Sequence, residues 1–262
     1  MYALYLIYLS IYTKKGSMFG YYNVPLELAK EGISVSLESD GEGFMYRSEC
    51  AGMKVEKIIL ARTGKVLINP VEPLNTPKVL TSALLIEFEK SLLVEPKATR
   101  KIIITYPIEI GVFISAKNAR AEQPKNASIE LLDILTLAKQ KFTLYGNPRK
   151  GVICKYWRSK VHASIPAVNP LHEGVIELSI TNTTPEWVEV TKAVFNAYGM
   201  KIYYNDDLVA MKATMKLLHG HLAETDFVDA PLLEAGMTKS LELYTAKKLP
   251  VVITKFVMEE GL

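Results

Sequence analysis

The 262-residue sequence predicts an all-β protein: two tandem antiparallel β-sandwich domains with at most one or two short helices. Three observations carry this. Short runs alternate in polarity, as in Ile33-Ser-Val-Ser-Leu37, Ile108-Glu-Ile-Gly-Val-Phe-Ile114 and Val175-Ile-Glu-Leu-Ser-Ile180. A period of two sends successive side chains to opposite sheet faces. Turn signals separate these runs at roughly 8–12 residues, the spacing of sandwiches and barrels. Few stretches look helical for long enough to make βαβ crossovers.

Taken in order, Ser39-Asp-Gly-Glu-Gly43 and Thr63-Gly64 are turns rich in residues that tolerate positive φ. Between and after them, strands are expected at Phe44–Arg47, Lys54–Leu60 and Val66–Ile68. The three prolines of Asn69–Pro77 cannot donate to a central ladder, which makes that stretch a loop or an edge crossing. Val79–Glu89, Leu92–Val94, Lys101–Thr105 and Ile108–Ile114 follow as strands. Ser115–Ser128 is polar and poor in β-branched residues, so it marks a domain boundary. Ile129–Lys141 fits either a helical stripe (Ile129, Leu132, Leu135) or an extended segment.

The second half gives strands at Lys141–Tyr145, Val152–Trp157, Val175–Ile180, Trp187–Phe195 and Met200–Tyr204. Asn205-Asp-Asp207 turns into Leu208–Leu218, a strand by parity, with helix as the alternative because Ala, Met, Lys and Leu favour helices. Leu241–Tyr244 and Val251–Met258 close the chain. The expected domains are therefore residues 18–116 and 140–262, with 117–139 connecting them.

Residues 1–17 stand apart. Met1–Tyr12 is a run of apolar residues and tyrosines followed by Lys14, Lys15 and Gly16. It is shorter than the roughly 20 residues of a spanning helix, and it lacks a secretory signal's basic leader and cleavage site. As a helix it aligns Tyr2, Tyr5, Tyr8 and Tyr12 on one face, as a peripheral membrane anchor would. The preferred reading is a start at Met18, with 1–17 an upstream extension.

Composition is that of an ordered globular chain: 49% hydrophobic, 23% charged. A net charge of +3 is too small to imply nucleic acid or a membrane surface unless the cations cluster. Cys50 and Cys154 read as two reduced thiols of a cytoplasmic protein, without zinc spacing.

The cations do cluster at Lys141–Lys160. Lys141, Arg149, Lys150, Lys155, Arg158 and Lys160 occur there without an acidic residue, interleaved with Tyr145, Tyr156 and Trp157. Cations beside aromatics suit anionic partners that also offer a flat or apolar face. Lys141, Arg149, Lys150, Lys155, Trp157, Arg158 and Lys160 are the expected contact residues, and an acidic protein, a nucleic acid or an anionic headgroup the expected partner. A lysine-protected sheet edge is the plainer account.

The second cluster is His219-Gly-His221. On a strand, histidines at i and i+2 share a face and can ligate one metal ion, with Glu224 and Asp226 near enough to add a carboxylate. His162, His172 and Glu173 are further candidates. This defines the alternative, a metal-dependent β-fold enzyme using a divalent transition metal. Strand-end histidines beside a glycine turn are the simpler account. Trp187, Tyr198, Tyr203 and Tyr204 at β spacing read as packing. There is no Gly-x-Ser-x-Gly elbow, Walker-type loop or GxGxxG, so no cofactor is predicted.

The segments Tyr106–Ile114, Phe142–Gly146 with Gly151–Trp157, and Lys255–Gly261 resemble those of an uncharacterised archaeal family of β-rich proteins, a domain of unknown function. The likeness runs from Met18 to the C-terminus. It implies archaeal origin and a cytoplasmic location, and brings no activity or binding residues with it. The function the sequence favours is non-catalytic binding, through segment 141–160.

Overall fold

The computed structural model describes residues 18–61, 64–116, 129–243 and 254–262. In chain order the strands are β1 (Gly20–Asn23), β2 (Leu26–Lys30), β3 (Ile33–Asp40), β4 (Gly43–Cys50), β5 (Met53–Ile59) and β6 (Gly64–Val71). Next come β7 (Ala83–Val94), β8 (Thr99–Pro107), β9 (Glu109–Ala116), β10 (Ile129–Leu135), β11 (Phe142–Tyr145), β12 (Val152–Ser159) and β13 (Glu173–Asn182). The last are β14 (Val188–Asn196), β15 (Tyr203–Tyr204), β16 (Val209–His219), β17 (Leu222–Val228), β18 (Thr238–Lys239) and β19 (Phe256–Met258). A 3-10 turn, Ala197–Gly199, follows β14. The all-β fold class holds.

Four sheets result. The first runs β1-β6-β9-β10 and the second is the meander β2-β3-β4-β5. Two of its three hairpins close on Glu31-Gly32 and Ala51-Gly52, where both residues of each pair have φ near +50° to +81°. Two successive positive φ values match the right-handed twist of the flanking strands, and glycine supplies the second without strain. The third sheet runs β11-β12-β7-β14 and the fourth β18-β15-β16-β13-β8, with β17 on β16 and β19 on β17.

Two pairings among the described strands are parallel, β7 with β12 and β13 with β16. Parallel neighbours need a crossover. For β13 and β16 the crossover is β14, which lies in the third sheet, so a strand does what a helix does in a βαβ unit. Through β7 and β8, residues 83–107 are hydrogen-bonded to β12, β14 and β13. The third and fourth sheets thus draw strands from both sides of segment 117–139.

A single cluster of buried side chains draws on all four sheets. β16 shows how parity fills it: Val209, Met211, Ala213, Met215 and Leu217 are buried while Thr214 and Lys216 are exposed. Burial on one face overrides the helix propensity of those residue types. From Ile104 to Ile114 nearly every residue is buried, because the chain there passes from the fourth sheet to the first. The second sheet is tied to β10 by Asp133, whose Oδ2 accepts from Tyr46 Oη at 3.1 Å and Ser48 Oγ at 2.5 Å.

Ile129–Leu135 is extended and pairs with β9, which settles the helix-or-strand question there. β2 is an addition to the sequence expectations; Leu-Glu-Leu-Ala-Lys is made of helix formers yet pairs along its whole length with β3. The described part of the strand expected at Leu241–Tyr244 is not a strand. Within it Leu243 N donates to the Glu72 carboxylate at 3.2 Å, and just before it Ser240 N donates to Ile202 O at 2.8 Å. The readings of 1–17 as anchor or upstream extension lie outside the described residues. No helix among those described is long and apolar enough to cross a membrane.

Candidate functional site

β11 and β12 form a hairpin at one end of the third sheet, in the register Phe142–Lys155, Thr143–Cys154, Leu144–Ile153 and Tyr145–Val152. Its turn is fixed by Asn147. Asn147 Oδ1 accepts from Arg149 N at 3.0 Å and Lys150 N at 3.1 Å, and its carbonyl accepts from Gly151 N at 2.7 Å. The Arg149 and Lys150 side chains are left in solvent. Gly146 has φ +96°, a backbone state that favours glycine, and a Cβ there would meet Glu260.

Lys141, Arg158 and Lys160 at the base of the hairpin are exposed as well. None of these five cations makes an ion pair among the described residues. Between them lie apolar side chains that the sequence reading passed over: Phe142, Leu144, Val152 and Ile153 are all exposed, Ile153 by 56%. Phe142, Leu144 and Ile153 share one face of the hairpin by register. Parity alone does not reveal them, because both faces of this hairpin carry apolar residues.

β11 is the terminal strand of its sheet. Tyr156 N donates to Lys141 O at 2.9 Å, which sets the phase of the ladder. In an antiparallel pair hydrogen-bonded positions alternate, so Thr143 and Tyr145 bond to β12. The amide groups of Phe142 and Leu144 therefore point away from β12, to an edge that no strand among the described residues pairs with.

Two expected contact residues lie elsewhere. Lys155 is buried and does not belong to the basic surface: its Nζ is 3.3 Å from Glu109 Oε1 and donates to Thr76 O at 3.1 Å. The reason is parity, which turns position 155 toward the first sheet. Burial lowers the Lys155 pKa, opposed by the Glu109 charge and hydrogen bond. Glu109 also accepts from Asn75 N, Asn75 Nδ2 and Thr76 N at 2.9–3.0 Å. A lone lysine in Val-Ile-Cys-Lys-Tyr-Trp and a lone glutamate in Ile-Glu-Ile were the sequence signs of this pair. Trp157 is half-buried, and its Nε1 donates to Thr105 Oγ1 at 3.1 Å.

The remaining aromatics are engaged too. Tyr156 Oη donates to Glu87 Oε2 at 3.0 Å, and buried Tyr145 bonds to the C-terminal segment through Gly261 O. Aromatic stacking is thus not what the hairpin offers.

His219 and His221 flank the β16–β17 turn, both exposed, with ring centroids 6.4 Å apart. Glu224 and Asp226 lie along β17, opposite Lys216 and Thr214. His162 bridges to Ile103 through its backbone, and His172 lies in the segment entering β13. Among the described residues no group of three or more His, Cys, Asp and Glu is placed to hold a metal ion.

A family described as a protein of unknown function (DUF432) matches residues 18–259. The chain belongs to that family. The match spans both the hairpin and the Glu109–Lys155 pair. No curated protein and no solved structure matches the chain.

Proposed function

We propose that this member of the family is a non-catalytic interaction protein that holds an anionic partner on the β11–β12 hairpin. The observation that carries the reading is a set of five exposed cations without ion-pair partners among the described residues, Lys141, Arg149, Lys150, Arg158 and Lys160, around exposed Phe142, Leu144 and Ile153. Exposed cations left unpaired steer an anion to the surface, and an apolar centre holds a partner once it arrives. A hairpin whose turn is already hydrogen-bonded presents both without further ordering. Free, buried thiols at Cys50 and Cys154 support a reducing, cytoplasmic setting.

Heparin tests the electrostatic part, because a sulfated polysaccharide presents charge and cannot pair with a strand. The parent chain binds heparin with an affinity that falls as salt rises, and the double variant Arg149→Glu/Lys150→Glu loses about tenfold or more. A parent that ignores heparin, or a double variant that binds it equally, removes this reading.

A further inference from the structure

We propose that the open edge of β11 takes up an extended, acidic segment of a partner protein as an added strand of the third sheet. This rests on the reading that the hairpin holds an anionic partner, and it names the partner's class. The Phe142 and Leu144 amides point away from β12, leaving two N–H donors and two carbonyl acceptors for an incoming chain. Their side chains, with Ile153, form an apolar strip along one face of that edge. Lys141 stands at one end of the edge and Arg149 and Lys150 at the other. The complementary shape is a strand with small apolar side chains in its middle and carboxylates at both ends.

Two other anionic classes fit less well. Bases of a single-stranded nucleic acid need aromatic faces to stack upon. Here Tyr145 is buried, while Tyr156 and Trp157 are tied to Glu87 and Thr105, which leaves Phe142. An anionic membrane would have to accept the hairpin tip first, and the tip is Asn147-Pro148-Arg149-Lys150, with the apolar residues set behind it. That order is the reverse of an inserting hairpin, whose apolar residues go deepest. Exposed Val79 and Leu80 add apolar surface on the segment that enters β7, whose Ala83 is in register with Cys154.

The test uses the full chain and a fluorescent peptide, Glu-Glu-Val-Thr-Val-Thr-Val-Glu-Glu, followed by anisotropy. The same peptide with N-methyl groups on its valines and threonines cannot pair through either edge, and a version with glutamine for glutamate lacks the charge. The expected result is saturable binding of the parent peptide, weakened at least about tenfold by N-methylation and by loss of charge. Leu144→Pro, which removes a donor that β12 does not use, weakens it likewise. Equal binding of the N-methylated peptide overturns strand addition without needing any variant of the protein. Heparin binding with no peptide binding overturns this inference and leaves the electrostatic reading standing; loss of both removes both. Binding of a single-stranded oligonucleotide or of phosphatidylserine vesicles in place of the peptide also overturns it.

Discussion

Lys155 Nζ lies 3.3 Å from Glu109 Oε1, with 2% of the lysine side chain and none of the glutamate side chain exposed. The pair joins β12 of the third sheet to β9 of the first. Three N–H donors from Asn75 and Thr76 complete the solvation of the carboxylate, so the loop before β7 is held by the same charge. A buried ion pair repays its desolvation only when such extra hydrogen bonds are present.

Removing one partner strands the other. Glu109→Ala should destabilise the fold by about 3–5 kcal/mol, because an ammonium is left buried without a counter-charge. Glu109→Leu combined with Lys155→Met should be far milder than either single change suggests, since both desolvation costs vanish together. Urea unfolding of the parent, Glu109→Leu, Lys155→Met and the double variant gives the coupling directly. Additive losses would mean that the two charges do not depend on each other.

Burial holds the Lys155 pKa below its ordinary 10.5. In the window between the lowered value and about 10.4, the unfolded chain keeps a proton that the folded chain has released. More protons on the unfolded state means that this group's contribution to stability rises with pH across that window. Lys155→Met should remove that rise when stability is followed from neutral to alkaline pH. The same variant should bind heparin as the parent does, because its ammonium never faced solvent; a loss comparable to that of Arg149→Glu/Lys150→Glu would return Lys155 to the contact surface.

Cys154 behaves in the opposite sense. Burial pushes its thiol up from 9.0 to about 12. Between those values the unfolded chain ionises while the folded chain keeps its proton, so stability from this group is complete below about pH 9 and is lost as pH climbs toward 12. The slope is at most about 1.4 kcal/mol per pH unit. Cys154→Ala should flatten that decline in alkaline denaturation. In the native state a thiol reagent should modify Cys50 and Cys154 only as fast as the protein opens, since both are buried.

The strands were legible because alternation is a local property. Val175–Ile180 and Leu208–Leu218 declare one buried face each, and the sheets deliver it. Sheet partners were not legible: nothing in Ala83–Val94 says that it will lie parallel to Val152–Ser159, because pairing is decided by crossovers tens of residues long. The candidate site shows the same division. Arg149 and Lys150 were readable as a hairpin tip from Asn-Pro-Arg-Lys-Gly, whereas the fate of Lys155 depended on what the first sheet places above it. His219 and His221 looked like a strand pair in sequence; the Gly220 between them lies in the turn that ends β16.

Tyr106 supplies a last expectation from within the core. Its ring packs against Gly174, directly across the β8–β13 ladder, where a Cβ would fall 2.6 Å from Tyr106 Cε1 and 2.8 Å from Val209 O. Gly174→Ala therefore forces the ring or the backbone to move, a strain of about 1–3 kcal/mol. The Tyr106 hydroxyl is fully buried and has no hydrogen-bond partner among the described residues, and burial with the nearby Glu72 charge raises its pKa. An unpaired buried hydroxyl costs about 1–3 kcal/mol. Tyr106→Phe keeps the ring and removes that cost, so its melting temperature should equal or exceed the parent's. A marked fall in Tyr106→Phe would show that the hydroxyl does find a partner in solution, such as a buried water bridging to Glu72.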